Sequence, residues 1–186
     1  MQKWLIGLIP VVLLTVAIMV FSFFGSKATP QPTPGSIYDF SIQSLDGRLI
    51  DFSIYRGKPL LIVNTASQCG FTPQYADLQK LHEQYGNLVT VLGFPANNFL
   101  WQEPGTNKEI AAFCERNYGV RFTLFEKISV KGKNAHPLYQ WLKARSGKSP
   151  SWNFCKYLIS SEGEVLAFYP SRVNPLDEDI LKRIRK

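Results

Sequence analysis

The chain of 186 residues predicts an α/β domain: a central mixed sheet flanked by helices, entered through an N-terminal β-hairpin. Three observations lead there. Leu60–Asn64 and Leu88–Gly93 are short continuous apolar runs, as strands buried on both faces require. Helical stripes alternate with these runs, and parallel strands need such crossovers. Asp46-Gly47 and Glu162-Gly163 each separate two strand-like segments, which adds antiparallel hairpins at both ends.

Taken in order, Ile37–Ile42 and Leu49–Phe52 form the opening hairpin, and Leu60–Asn64 is the first central strand. Thr72 is placed to cap the next helix, with Pro73 at its first position, where a missing N–H costs nothing. Tyr75, Leu78, Leu81, His82 and Tyr85 share one face of that helix. Leu88–Gly93 is the second central strand. Thr106-Asn-Lys-Glu109 matches a capping box, and Ile110, Phe113, Cys114 and Asn117 trace the stripe that follows. Phe125–Val130 reads as a third strand, and His136–Lys143 as a short helix opened by Pro137. Phe154–Ser160 and Val165–Tyr169 close the sheet as a hairpin, and a last helix covers Leu176–Arg185. No internal repeat is visible. This order is that of a thioredoxin-like fold, whose reactive groups sit at the carboxyl ends of strands.

Ahead of the domain, Trp4–Phe24 holds twenty-one uncharged residues between Lys3 and Lys27, enough for a helix to cross a bilayer. The apolar region is too long for an ordinary signal peptide and lacks an Ala-x-Ala site, so residues 1–28 read as an uncleaved signal-anchor. The amino terminus and Lys3 outweigh Lys27, which puts the C-terminal domain in the periplasm or another extracytoplasmic space. Residues 29–36 are a stiff Pro-rich linker, and residues 37–186 the folded domain. The net charge of +7 is diffuse. Its densest part, Lys182–Lys186, ends a helix that begins with acids, as a helix dipole favours. No basic stripe, zinc pattern or RNA-binding aromatic motif points to nucleic acid.

Cysteine usage points to redox chemistry. Cys69, Cys114 and Cys155 are too few for a disulfide framework, no pair has Cys-x-x-Cys spacing, and an odd count leaves a free thiol. Cys69 stands on the turn after Leu60–Asn64, just before a helix. The helix dipole and unpaired N–H groups there favour thiolate, the reactive form. Two other loops at strand ends add Gln102, Trp152 and Asn153, neutral N–H donors suited to a thiolate and a bound peroxide. His82 lies on a helix stripe and His136 precedes a proline, so neither suggests a metal site, and the chemistry needs no cofactor.

The segments Asn64–Pro73, Phe94-Pro…Gln102-Glu-Pro-Gly105 and Trp152-Asn-Phe154 resemble the three signature blocks of the glutathione peroxidase family, in register from Ile37 to the final helix. The resemblance implies a thioredoxin fold and reduction of hydroperoxides. It puts the peroxidatic cysteine (selenocysteine in some members) at Cys69, with Gln102, Trp152 and Asn153 as its partners. Phe113-Cys-Glu-Arg-Asn-Tyr-Gly119 is similar to the context of the resolving cysteine in thioredoxin-dependent members. This implies that Cys114 forms a disulfide with Cys69 after its helix unwinds, for reduction by a thioredoxin-like protein or by glutathione. Cys155 matches no family role and reads as a packing thiol.

Two departures from the family pattern matter. Ala96 replaces a cysteine that is not the resolver. Leu100-Trp101 replaces a small, usually glycine-containing pair ahead of Gln102, and is expected to wall the site with apolar surface and favour organic or lipid hydroperoxides. The short connection 144–151 lacks the insertion of tetrameric members, so a monomer is expected. The competing readings are a peroxide sensor or thiol–disulfide relay with the same first step, and a copper chaperone. The chaperone would want a second cysteine four residues after Cys69, where Pro73 stands.

Overall fold

The computed structural model describes residues 35–185. The expected anchor and all but the last residues of the linker lie outside these. Among the described residues, no helix is long and apolar enough to cross a membrane.

Strands β1 (Ser41–Gln43) and β2 (Leu49–Asp51) pair antiparallel as a hairpin. The main sheet contains β3 (Leu60–Thr65), β4 (Thr90–Pro95), β5 (Thr123–Leu124), β6 (Lys156–Ile159) and β7 (Val165–Tyr169), in the order β5-β4-β3-β6-β7. Its β5-β4-β3 half is parallel, and β6 and β7 add antiparallel to β3. Helices α1 (Gln74–Tyr85), α2 (Asn107–Tyr118), α3 (Pro137–Ser146) and α4 (Glu178–Ile184) complete the thioredoxin-like order predicted from the sequence.

Alternation along β3 divides the core between the two faces of the sheet. Leu60 and Ile62 point into a cluster with Phe94, Phe125 and the α3 residues Leu138, Tyr139 and Trp141. Leu61 and Val63 join Tyr75, Leu78, Ile110 and Ile180, from α1, α2 and α4. Cys69 and Cys114 both belong to this second cluster. All six β3 residues are buried, so the strand needs the continuous apolar run it has, and the break in that run, Asn64, has to find partners inside the protein.

Three local readings need correction. Ile37–Asp39 is a 3-10 turn rather than strand, because Ser36 and Asp39 cap it reciprocally. Only Thr123–Leu124 pairs as the third strand; Phe125–Val130 is irregular. Its backbone is shared among neighbours: the Phe125 N–H donates to Gly93, Glu126 to Gln43 and Ile128 to Pro95. Meanwhile the Lys127 ammonium donates to the Glu103 and Gly105 carbonyls. Finally, Thr72 caps no helix. Helix α1 begins at Gln74 with Pro73 as N-cap and no side-chain capping bond, because the Thr72 hydroxyl is used in the preceding turn.

Candidate active site

Strand β3 ends at Thr65, and residues 66–73 turn back toward α1. The Thr72 hydroxyl oxygen accepts from the Cys69 N–H at 2.9 Å, while its O–H donates to the Ala66 carbonyl at 2.9 Å. The Thr72 N–H donates in turn to the Cys69 carbonyl. One threonine therefore closes the turn on both sides of Cys69. The Phe71 N–H donates to the Cys69 sulfur at 3.4 Å. Cys69 is 8% exposed and so nearly buried.

The second loop leaves β4 at Pro95. Asn97 accepts from the Glu103 N–H, which closes the loop on itself, and Asn98 accepts from the Val130 N–H, which ties it to the segment after β5. The Gln68 N–H donates to the Gln102 carbonyl at 3.0 Å and ties this loop to the one carrying Cys69. Leu100 and Trp101 are left-handed, with φ of 50° and 52°, at a backbone cost of about 1–2 kcal/mol each that glycine would avoid. Contrary to the expected apolar wall, both side chains stand out in solvent, 67% and 77% exposed.

The third loop, Ser151–Phe154, precedes β6. Buried Asn64 holds it: its amide N–H donates to the Trp152 carbonyl at 3.0 Å and its oxygen accepts from the Cys155 N–H at 3.1 Å. Asn153, also fully buried, donates its amide N–H to the Gln102 side-chain oxygen at 2.9 Å. Asn153 therefore orients Gln102, leaving the Gln102 NH2 available for another acceptor. The Trp152 indole lies 5.7 Å from the Phe99 ring and packs against the cluster that contains Cys69. The three loops singled out from the sequence thus meet through Gln68–Gln102 and Gln102–Asn153 contacts.

Cys114 is buried on α2, in the same core cluster as Cys69. Burial pushes its thiol up to about 11, opposed by a weaker contribution from the Tyr75 hydroxyl. All three cysteines are free thiols. Cys155 is buried with its sulfur 3.6 Å from the Ser171 hydroxyl. Among the described residues, no group of three His, Cys, Asp or Glu side chains is gathered as for a metal ion. His136 caps α3, accepting from the Leu138 N–H, and His82 lies against Phe122.

Sequence reasoning missed four residues here. Thr72 was misread as a helix cap. Asn64 was visible only as a polar residue closing an apolar strand. Glu103 is buried beside Gln102, accepts from the Ser67 hydroxyl at 2.6 Å, and has its carboxyl pushed up by burial. Lys156, on a strand, buries its ammonium among the Gln74, Phe154 and Val173 oxygens. Nothing in the local pattern marks the last two.

Comparison with known proteins bears on the fold and the family. The glutathione peroxidase family model matches residues 37–143. The chain is 51% identical, over 76% of its length and 93% of the relative's, to the glutathione peroxidase homolog BsaA of Halalkalibacterium halodurans. It is 49% identical to the hydroperoxy fatty acid reductase gpx1 of Synechocystis, over 75% of this chain and 89% of that one. The crystal structure of T. cruzi GPX1 superposes with a TM-score of 0.63 at 35% identity, covering 81% of this chain and 94% of that one. With the sheet order and these likenesses in agreement, the chain belongs to the glutathione peroxidase family and is a thiol peroxidase, an oxidoreductase that uses a thiol to reduce a peroxide.

Proposed function

We propose that Cys69 is the peroxidatic residue of a membrane-anchored, monomeric peroxidase acting on hydrogen peroxide and on organic or lipid hydroperoxides. The observation that carries this reading is the hydrogen-bonded junction of the Cys69 turn, Gln102 and Asn153 at the ends of β3 and β4. The Cys69 thiolate attacks one peroxide oxygen, the O–O bond breaks, and the alkoxide leaves as alcohol or water after taking up a proton. Cys69 becomes a sulfenic acid, two electrons poorer. The Gln102 NH2, held by Asn153, and the Trp152 ring N–H are the donors that face developing negative charge.

Cys114 then resolves the sulfenic acid. Its sulfur displaces hydroxide from Cys69, the Cys114 proton leaves with that hydroxide as water, and a Cys69–Cys114 disulfide forms. Buried, with its thiol pushed up to about 11, Cys114 is a poor nucleophile until α2 opens. A thioredoxin-like dithiol, or glutathione, returns the pair to thiols and is itself oxidised. The printed name of the Synechocystis relative, a hydroperoxy fatty acid reductase, supports bulky apolar peroxides as substrates. Residues 1–28 anchor the enzyme, 29–36 space it from the bilayer, and 37–186 work outside the cytoplasm.

The test is direct. Cys69→Ser abolishes peroxide consumption, while Cys114→Ser completes one turnover and then stalls with thioredoxin. Mass analysis of peroxide-treated protein gives a Cys69–Cys114 bridge with Cys155 free. Normal thioredoxin-driven cycling by Cys114→Ser would overturn the resolving role.

A further inference from the structure

We infer that Leu100 and Trp101 form an apolar prong that inserts into the surface of an anionic bilayer and brings Cys69 to hydroperoxides embedded there. This rests on the peroxidase reading above and names the physical state in which the substrate is taken. The pair is contiguous and largely exposed, and both residues hold the left-handed backbone for which their side chains are poorly suited. Glycine or asparagine would sit there more easily, so the conformation serves to hold two large apolar groups away from the protein rather than to relax the loop.

The mount is rigid. On one side Phe99 is buried with its ring against Trp152, and on the other Gln102 is fixed by Gln68 and Asn153. The prong thus stands at the rim of the site, one residue from a group proposed to face the peroxide.

Its surroundings select lipid. Lys131 holds its ammonium 5.5 Å from the Phe99 ring centroid, and Lys131 and Lys133 are exposed on the segment that Asn98 ties to this loop. An indole and a leucine flanked by lysines suit an interface where apolar groups enter the acyl boundary and cations meet anionic headgroups. The expected anchor at residues 1–28 is a separate attachment.

The experiment uses the full chain reconstituted into vesicles with and without phosphatidylglycerol. It compares wild type with Leu100→Asn/Trp101→Asn, which keeps the left-handed turn. Oxidation of Cys69 by hydrogen peroxide stays within about threefold, while reduction of phospholipid hydroperoxide in the vesicles falls about tenfold or more, as expected for losing the burial of two large apolar side chains. Brominated acyl chains quench a fluorescence component that Trp101→Phe removes, and this arm reads insertion whether or not the enzyme turns over. Lys131→Glu/Lys133→Glu loses the preference for phosphatidylglycerol.

Equal losses toward both peroxides would mean that the pair only positions Gln102, and would overturn the inference. So would an unchanged rate with vesicle-borne hydroperoxide, or a defect confined to reduction by thioredoxin, which would make the prong a protein-docking face. Failure of wild type to oxidise Cys69 with any peroxide defeats the peroxidase reading instead, and is distinguished by the quenching arm.

Discussion

Thr72 and Lys156 show how single side chains carry the site. In a Thr72→Val variant the Cys69 N–H and the Ala66 carbonyl both lose a buried partner, at about 1–3 kcal/mol by denaturant titration. The rate of Cys69 oxidation drops with it, and Thr72→Ser restores both. Equal rates for valine and serine variants would show that the turn does not need the hydroxyl. Lys156 ties the start of α1 to the third loop, and burial lowers its pKa to about 8 from 10.5. Below pH 8 both folded and unfolded chains carry that proton, and the folded state bears the cost of a buried ammonium. Between pH 8 and 10.5 the unfolded chain binds more protons, so this residue's contribution to stability rises with pH, by about 3 kcal/mol in all. Cys114, raised to about 11 from 9.0, acts oppositely: its contribution is present below pH 9 and is lost as pH rises through 11. Unfolding titrations of wild type against Lys156→Met separate the two, because the difference between them climbs only in the lysine's window. A flat difference from pH 8 to 10 would show that the ammonium is solvated. Neither role was legible in the sequence. A threonine before a helix looks like a cap, and a lysine on a strand looks solvated. Only the chain's return from residues 154, 171 and 173 surrounds it with oxygens.

Among the elements, α2 has the fewest reasons to stay closed. Of its twelve residues only Ile110 and Cys114 are buried, with Phe113 and Tyr118 partly buried against the same cluster, so fewer fully buried side chains hold it than hold α1. Its ends are better made. Thr106 and Glu109 cap it reciprocally, and left-handed Gly119, with φ of 59°, closes its C-terminus on the Glu115 carbonyl. That combination gives a helix that forms reliably yet can open locally, as the proposed delivery of Cys114 to Cys69 would require. Gly119→Ala strains the C-cap by about 1 kcal/mol, which raises the open population and speeds disulfide formation after peroxide treatment. Hydrogen exchange is expected to show faster exchange in Asn107–Tyr118 than in α1, and loss of α2 protection once the disulfide forms. Retained protection in the oxidised protein would exclude the unwinding. The capping box and the β3 run were legible because their signals are local. Phe125–Val130 misled because its partners are Gly93, Gln43 and Pro95, none of them predictable from the segment's own pattern.

For the whole molecule, the sequence and the fold meet at a question of reach. A linker of eight residues, 29–36, spans no more than about 28 Å even if fully extended. An anchor at residues 1–28 would therefore keep the domain within roughly its own diameter of the bilayer, at an effective concentration that free diffusion does not match. Under that constraint the exposed Leu100-Trp101 pair and the domain's net positive charge would act at short range, where neither needs much affinity of its own. The prediction is that the full chain pellets with membranes, resists alkaline carbonate and is released by detergent. Protease added outside intact spheroplasts should digest the C-terminal domain. Recovery in the soluble fraction would remove the anchor, and protection from protease would reverse the orientation. The second result would also move the reductant: a domain facing the cytoplasm meets the glutathione and thioredoxin pools there, whereas one outside needs a thiol donor resident on that side. Topology thus decides which donor can close the cycle before any rate is measured.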